Sequence, residues 1–386
     1  MKIRRFLLLA LGAMSFFSLA SATERTSKVP NVDPRPDGEH HQKAQIAILL
    51  DTSSSMDGLI EQAKTQLWSI VNTFVNAKVA GETPYVEVAL YEYGNSGLRS
   101  ETNWIRLIRP FTRDLDQVSD DLFKLTTNGG DEFCGAVIER AMADLSWDQD
   151  KQVYKAIMIA GNEPFTQGPI NPDNACRAAA EKGIIVNTIH CGSEAEGING
   201  GWRRGASLAH GRYLVINQGR AVVHVDAPQD DEIMKLNQEL NKTYVGYGSL
   251  APGGKAKQEM QDVNALSKKE SGAALQRAVT KASSNYDNSR WDLVDAQKKK
   301  DFDVAKVPES DLPAELKGKT TEEKKAWVED KAKERTTLQE RILKLNKERE
   351  AFVAGKLKEG AKDTLDVVVT QAVKEQAEKL GYSFGK

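Results

Sequence analysis

The sequence predicts an α/β fold, with a doubly wound, mostly parallel six-stranded sheet flanked by helices and a helical region after it. Two observations support this prediction. Between residues 43 and 242, short apolar runs alternate with longer segments of helical periodicity, as in βαβ units. After residue 242, Lys and Glu are interleaved and apolar residues recur at helical spacing. We therefore predict a sheet domain over residues 43–242 and a charged helical region over residues 243–386.

Six apolar runs have the length and residue types of buried strands. They are Gln45–Leu50, Tyr85–Tyr91, Trp104–Arg109, Tyr154–Ala160, Ile184–His190 and Tyr213–Ile216. The link between the second and third runs contains Gly94 and Gly97 and is short enough for a hairpin, which predicts one antiparallel edge strand. Ligands of such sheets lie at the carboxyl ends of the parallel strands, so a site is expected there.

Helical periodicity is found between the strands and after them. The predicted helices are Leu59–Val79, Asp114–Leu125, Gly135–Leu145, Asn174–Glu181, Trp202–Ala209, Asp231–Asn241, Lys255–Ser283, Thr321–Leu357 and Thr364–Leu380. The long helix Thr321–Leu357 has apolar residues at heptad spacing, but only over about two heptads. We favour packing of Thr364–Leu380 back onto it, and a coiled coil with self-association through these helices stays open.

The N-terminus has the pattern of a secretory signal. Lys2, Arg4 and Arg5 precede the apolar segment Phe6–Leu19, and Ala20-Ser21-Ala22 supplies small residues for cleavage. We therefore expect a signal peptide over residues 1–22, a flexible polar leader over 23–42, no stable membrane span after cleavage, and a periplasmic or secreted protein.

The charge content indicates which partners to exclude, and the cysteine content allows one disulfide. The chain has 53 Lys and Arg against 55 Asp and Glu, a formal charge of −2, which argues against nucleic acid as the main partner. Of its three cysteines, Cys176 and Cys191 are both predicted near the carboxyl edge of the sheet. A bridge between them is plausible and would leave Cys134 free; three buried thiols are the alternative.

The first predicted strand ends in Asp51, followed by hydroxyls at alternate positions, Ser53 and Ser55. A carboxylate and two hydroxyls on a tight loop at a strand end suit a hard cation such as Mg²⁺, Mn²⁺ or Ca²⁺. Small side chains also leave part of the coordination sphere of the ion open to a partner.

This strand and loop resemble the von Willebrand factor A (VWA) domain and its DxSxS metal-ion-dependent adhesion site (MIDAS), over residues 43–242. The resemblance implies a divalent cation, most simply Mg²⁺, held by Asp51, Ser53 and Ser55 with help from two further loops. It also implies a protein partner whose acidic side chain completes the coordination.

The two further loops depart from the usual motif of that family. In the second loop, Asp131 follows Gly129-Gly130 where the family usually has Thr. Asp131 is therefore the expected ligand, with Thr127 as an alternative and a helix N-cap as a second role for Asp131. In the third loop, Gly161 stands where the family usually has Asp, and Asn162 is the residue that could reach the ion, directly or through water.

Two enzyme signatures are present only in part. Residues 129–133 spell Gly-Gly-Asp-Glu-Phe, which resembles the signature of diguanylate cyclases, but they lead into a predicted helix rather than a hairpin. Asp51 also resembles the nucleophile of aspartyl-phosphate phosphatases, but Ser53 stands where a second Asp is needed. The five histidines are scattered, and only His190, beside Cys191, lies near the expected site. We therefore predict that the protein is not an enzyme.

The functional hypothesis is an exported VWA-type protein that binds another protein through a metal ion at a MIDAS-like site. Two alternatives stay open. One is a metal-free scaffold of the cell envelope that acts through its C-terminal helices. The other is an envelope hydrolase in which Asp51 and the ion activate water.

Overall fold

The computed structural model describes residues 42–216, 224–268, 272–357 and 365–384. Its strands are β1 (Lys43–Asp51), β2 (Ala77–Lys78), β3 (Tyr85–Tyr93), β4 (Ile105–Thr112), β5 (Tyr154–Gly161), β6 (Ile185–Cys191), β7 (Tyr213–Ile216) and β8 (Ser383–Phe384). Six of them form one sheet in the order β4-β3-β1-β5-β6-β7, in which only β3 and β4 are antiparallel. The predicted fold class is confirmed, and so is the antiparallel edge strand.

Twelve α-helices are found among the described residues. They are α1 (Asp57–Asn72), α2 (Leu115–Phe123), α3 (Cys134–Asp144), α4 (Pro172–Glu181), α5 (Glu194–Asn199), α6 (Trp202–Leu208), α7 (Asp230–Asn241), α8 (Ala251–Ser267), α9 (Ala273–Lys281), α10 (Leu293–Ala296), α11 (Thr321–Leu357) and α12 (Leu365–Glu378).

The strand β1 lies in the middle of the sheet and is buried on both faces. Its alternate residues Ile46, Ile48 and Leu50 pack into one core, and Ala47 and Leu49 pack into the core on the opposite face. A continuous apolar run is typical of such a doubly covered strand. The end of β1 is therefore fixed from both sides, and the loop that follows it starts from a rigid point.

Two predicted helices are shorter in the structure. The helix predicted to run to Val79 ends at Asn72, and residues 77–78 instead form β2, paired with β8. The single helix predicted over Lys255–Ser283 is two helices, α8 and α9. Gly272, which precedes α9, has a φ of +72°, and a right-handed helix cannot contain that conformation.

The long helix α11 uses its apolar positions within the chain. Ile342 is fully buried against residues of α7 and α9, and Leu338 and Leu345 pack at the edge of the same cluster. The heptad-like spacing thus matches contacts with two shorter helices of the same molecule.

The last helix, α12, packs on the sheet and not on α11 as we had favoured. Val369, Val373 and Ala377 belong to the core that α1 covers, and Tyr382 after the helix donates a hydrogen bond to the Lys43 carbonyl, 2.7 Å away. The predicted boundary between residues 242 and 243 stays a prediction. Val369, Val373, Ala377 and Tyr382 nevertheless lie in one core of the sheet.

A buried charged cluster joins the helical region to the sheet. The Arg277 guanidinium of α9 is bonded to Asp116 of α2 and, at 2.6 Å, to Asp262 of α8. It also lies 4.9 Å from the ring centre of Trp68 on α1, a cation–π contact. Lys281, also buried, pairs with Asp262 at 2.9 Å, so two cations balance two carboxylates and the cluster can be buried without an unpaired ion.

Within the described residues, no helix is both long enough and apolar enough to cross a membrane. The predicted signal peptide and nearly all of the predicted leader lie outside the described residues.

Candidate metal centre

The loop after β1 brings its three predicted ligands together. Asp51 is the last residue of β1 and is fully buried, and its Oδ1 accepts a hydrogen bond of 2.7 Å from the Ser53 backbone N–H. The Ser53 and Ser55 hydroxyl oxygens are 3.1 Å apart and hydrogen-bonded. Met56, buried in the core, anchors the tight turn between the loop and α1. One carboxylate and two hydroxyls therefore face a common point.

The third loop places Asn162 beside Ser55, on the more open side of the predicted ligands. The Ser55 hydroxyl donates to Asn162 Oδ1 at 3.3 Å. The preceding residue, Gly161, has no room for the Asp that the family resemblance suggests. A Cβ at Gly161 would lie 2.6 Å from Tyr93 Oη and 3.1 Å from Asp51 Oδ2. The missing carboxylate is therefore a consequence of packing at this strand end.

The second loop places Glu132, and not Asp131, beside Asp51. Glu132 is buried, whereas Asp131 is exposed, and α3 begins after Phe133 without a side-chain cap. Gly94 makes this arrangement feasible, with a φ of +78°. A Cβ at Gly94 would lie 2.7 Å from Glu132 Cγ and 2.9 Å from Asp51 Oδ1. The sequence prediction of Asp131 as ligand and N-cap is thus not supported by its position.

Thr127, the alternative ligand of the second loop, has a different partner. Its hydroxyl donates to Asp57 Oδ1 at the start of α1. The Gly-Gly-Asp-Glu-Phe segment containing Glu132 is a loop that leads into α3 and not a hairpin. This agrees with the rejection of the cyclase interpretation.

Burial makes both carboxyl groups weaker acids than usual. Burial raises the pKa of Asp51 to about 6, and the Ser53 backbone N–H partly offsets the effect. The pKa of Glu132 is raised to about 9 by burial and then by the charge of Asp51. A protonated Glu132 can donate to Asp51, but Asp51 Oδ2 and Glu132 Oε2 are buried without a hydrogen-bond partner. Two buried acidic oxygens in need of a positive charge fit a hard divalent cation.

The three loops are also strongly acidic as a group. Residues 51–57, 127–133 and 161–166 contain no Lys, Arg or His. Their five acids are Asp51, Asp57, Asp131, Glu132 and Glu163. The charge of Glu163 contributes to the raised pKa of Glu132, so this exposed acid acts on the buried one. The negative potential of this edge favours cations.

The predicted disulfide is not formed. All three cysteines are free and buried. Cys176 of α4 lies in the core on one face of the sheet, and Cys191 at the end of β6 points into the core on the other face. The sheet itself separates the two thiols, so the bridge that we considered plausible is wrong.

His190 lies on the strand next to the site without contacting it. Its backbone is in register with Gly161, and its ring packs against Trp202, with the ring centres 5.6 Å apart. Burial lowers its pKa, and neither ring nitrogen has a hydrogen-bond partner.

A second group of candidate ligands is held by an arginine. His224, Asp226 and Asp230 have ligand atoms within 4.8 Å of one another. However, Arg349 Nε donates to Asp230 at 2.7 Å, and its Nη2 lies 3.2 Å from His224 Nδ1. The guanidinium already supplies the positive charge that a metal ion would bring.

Comparison with known proteins gives similarity to solved structures alone. No family model matches the chain, and no curated protein matches it. BatB from Bacteroides thetaiotaomicron is 19% identical over 45% of this chain and 90% of that one, with a TM-score of 0.34. The SpRpn10 VWA domain is 17% identical over 45% of this chain and 88% of its own, with a TM-score of 0.35. A von Willebrand factor type A structure from Catenulispora acidiphila is 15% identical over 46% of this chain and 39% of that chain, with a TM-score of 0.34.

The chain is thus similar to VWA-domain structures over somewhat less than half of its length. The similarity is one of fold alone. At these identities and TM-scores, no statement about function follows from the neighbours.

Proposed function

We propose that this chain binds a divalent cation at the end of β1 and uses that ion to bind another protein. The observation that supports this most directly is the pair of buried carboxyl groups, Asp51 and Glu132, each with one oxygen that lacks a hydrogen-bond partner. Unpaired buried acidic groups are costly, and a cation between them would remove the cost. Because the N-terminus has the pattern of a secretory signal, we also propose that the protein acts outside the cytoplasm.

The ligands we propose are the carboxylates of Asp51 and Glu132 and the hydroxyls of Ser53 and Ser55. Asn162 would contribute its amide oxygen from the open side, directly or through water. All are hard oxygen donors, which suits Mg²⁺ first and Mn²⁺ or Ca²⁺ next. When bound, the ion would supply an exposed positive charge that attracts an acidic side chain.

The acidic surroundings restrict the partner. Three exposed acids, Asp57, Asp131 and Glu163, lie in the loops around the buried pair. A single divalent ion does not neutralise five acidic groups, so a strongly acidic protein would be repelled at a distance. We therefore propose a partner in which one acidic residue is surrounded by basic residues.

Titration calorimetry tests the metal site. We expect wild-type protein to bind Mg²⁺, Mn²⁺ or Ca²⁺ at one site, Asp51→Ala to bind none, and Glu132→Gln to bind more weakly. Asp131→Asn is the matched control, because it removes one exposed acid from the same loop, and it should bind nearly as the wild type does. No heat with the wild type, or equal heat with Asp51→Ala, would contradict the proposal.

The scaffold and hydrolase alternatives stay predictions, as does the lack of enzyme activity. A panel of phosphatase and esterase substrates with added Mg²⁺ or Mn²⁺ tests the hydrolase. Turnover that disappears in Asp51→Ala would favour it over the binding role.

A further inference from the structure

Helix α8 has its polar side facing inward and its apolar side facing solvent. Its fully buried side chains include Gln258 and Gln261. Its large apolar side chains are about half exposed: 55% for Met260, 61% for Val263 and 49% for Leu266. Leu250, just before the helix, is 51% exposed. Among the described residues, these are four of the five large apolar side chains reported as exposed.

Hydrogen bonds fix the rotation of α8 in this orientation. Gln261 Oε1 accepts from Ser119 of α2 at 2.8 Å, and Gln258 Nε2 donates to the Tyr286 hydroxyl at 3.2 Å. Asp262 adds its ion pair with Arg277. Turning the helix to bury its apolar side would break all of these buried contacts, each of which is costly to leave unmade. The exposed apolar side is therefore a stable surface of the monomer.

We propose that this surface, formed by Leu250, Gly253, Ala256, Met260, Val263 and Leu266, binds a second copy of the same chain in an antiparallel pair of α8 helices. Residues 253, 256, 260 and 263 follow the alternating three- and four-residue spacing of a helix–helix seam. Gly253 and Ala256 are exposed like the larger residues.

The order of small and large residues along the seam makes the surface complementary to itself. With a two-fold axis level with residue 258, residues equally distant from 258 on either side face each other. Gly253 then faces Val263 of the second copy, and Ala256 faces Met260. Each small side chain is thus opposite a large one, as close packing of two helices requires.

Charge and area agree with a self-association of modest strength. The exposed charged residues beside the seam are Lys255 and Glu259, one of each sign, so two copies do not repel each other. Four half-exposed side chains amount to a patch of a few hundred Å², the size that marks interaction sites. This is less than the roughly 800 Å² that each partner buries in a standard interface, so we expect a weak dimer that forms only at high protein concentration.

Sedimentation velocity over a concentration series tests the proposal, with the chain from residue 23 onward in EDTA so that the metal centre plays no part. We expect wild-type protein to pass from monomer to dimer. Met260→Glu and Val263→Glu should each raise the dissociation constant about tenfold or more. Val215→Glu is the matched control, because Val215 is an exposed apolar residue on β7, and it should dimerise like the wild type.

The antiparallel register has its own test. Ala256→Lys and Met260→Glu should each weaken self-association, and an equimolar mixture should form a heterodimer, because the new charges face each other. Unchanged thermal unfolding would show that the variants are folded, as expected for exposed positions. A wild type that stays monomeric at every concentration, a dimer that Met260→Glu does not weaken, or no heterodimer in the mixture would overturn the proposal.

Discussion

Replacing Glu132 by Gln should stabilise the metal-free protein and at the same time weaken its binding of a divalent cation. Glu132 is buried next to Asp51, and one oxygen of each carboxyl group lacks a hydrogen-bond partner. Without a cation, the folded protein must keep Glu132 protonated, which costs free energy at neutral pH. Gln has a similar shape and no charge, so it removes this cost and removes one ligand oxygen.

The magnitude follows from the pKa of Glu132, which is raised from 4.5 to about 9 by burial and by the charge of Asp51. At pH 7.5 the solution is about three pH units above the unfolded pKa, and at about 1.4 kcal/mol per unit the upper limit is about 4 kcal/mol. Ser55 beside the site is exposed to water, which reduces the cost. We expect a gain of about 2 kcal/mol for Glu132→Gln at pH 7.5.

The sign of the pH dependence is fixed by the direction of the shift. Between pH 4.5 and about 9, the folded protein holds a proton on Glu132 that the unfolded chain has lost. The stability of the metal-free wild type is therefore full below pH 4.5 and falls as the pH rises toward 9. The Glu132→Gln variant should show a flatter profile, and its advantage should grow with pH.

Thermal unfolding in EDTA from pH 5 to 9 measures this effect. At pH 7.5 the variant should unfold about 2–3 °C above the wild type. Addition of Mg²⁺ at about 100 times its dissociation constant should stabilise the wild type by about 2.7 kcal/mol and the variant by less. A lower unfolding temperature of Glu132→Gln in EDTA, or the same pH profile for both proteins, would refute the reasoning.

Three further predictions concern the packing at Gly161, the buried charged cluster around Arg277 and the three cysteines. Gly161→Asp should destabilise the protein by about 2 kcal/mol or more and should not improve metal affinity, because its Cβ would press on Tyr93 Oη; calorimetry that shows tighter Mg²⁺ binding would contradict this. Arg277→Ala should cost about 3–5 kcal/mol in urea unfolding, because it leaves Asp116 buried without a cation and leaves Asp262 with Lys281 alone, whereas Lys242→Ala in an exposed pair should cost less than about 1 kcal/mol; equal losses would rule out a structural role for the buried cluster. A thiol reagent should label no cysteine in the native protein and all three after unfolding without reductant, since all are free and buried; two missing thiols would indicate a disulfide.

The sheet could be predicted from the sequence because its central strands are buried on both faces. A doubly buried strand such as β1 appears as an uninterrupted apolar run, and Asp51 marks its end clearly. For helix α8, by contrast, the spacing of apolar residues does not indicate burial. Its apolar residues Met260, Val263 and Leu266 have helical spacing, but they are exposed, so periodicity indicates which residues share a face and not which way that face points.

Sequence spacing alone could not show which acidic residue of the second loop points into the site. Asp131 and Glu132 are adjacent acids, and either could point inward. The choice is made by packing across the sheet edge, where Gly94 leaves room for the Glu132 side chain. The only available signal was that a second acid followed Asp131 directly.

The positions of Cys176 and α12 depend on topology in a similar way. Helical periodicity predicts that α4 and α12 each bury one side, but it does not say against which element or on which face of the sheet. Cys191 points to the face that α12 and α1 cover, whereas Cys176 lies on the opposite face. A pairing inferred from nearness to one edge of the sheet therefore failed because the two thiols lie on different sides of it.

Anomalous diffraction at the manganese edge, from crystals soaked in MnCl₂, tests the central claim most directly. The account predicts one strong peak between the carboxyl groups of Asp51 and Glu132, within bonding distance of the Ser53 and Ser55 hydroxyls, and its loss in Asp51→Ala crystals. A map with no peak there, at a manganese concentration that labels other acidic sites, would contradict it.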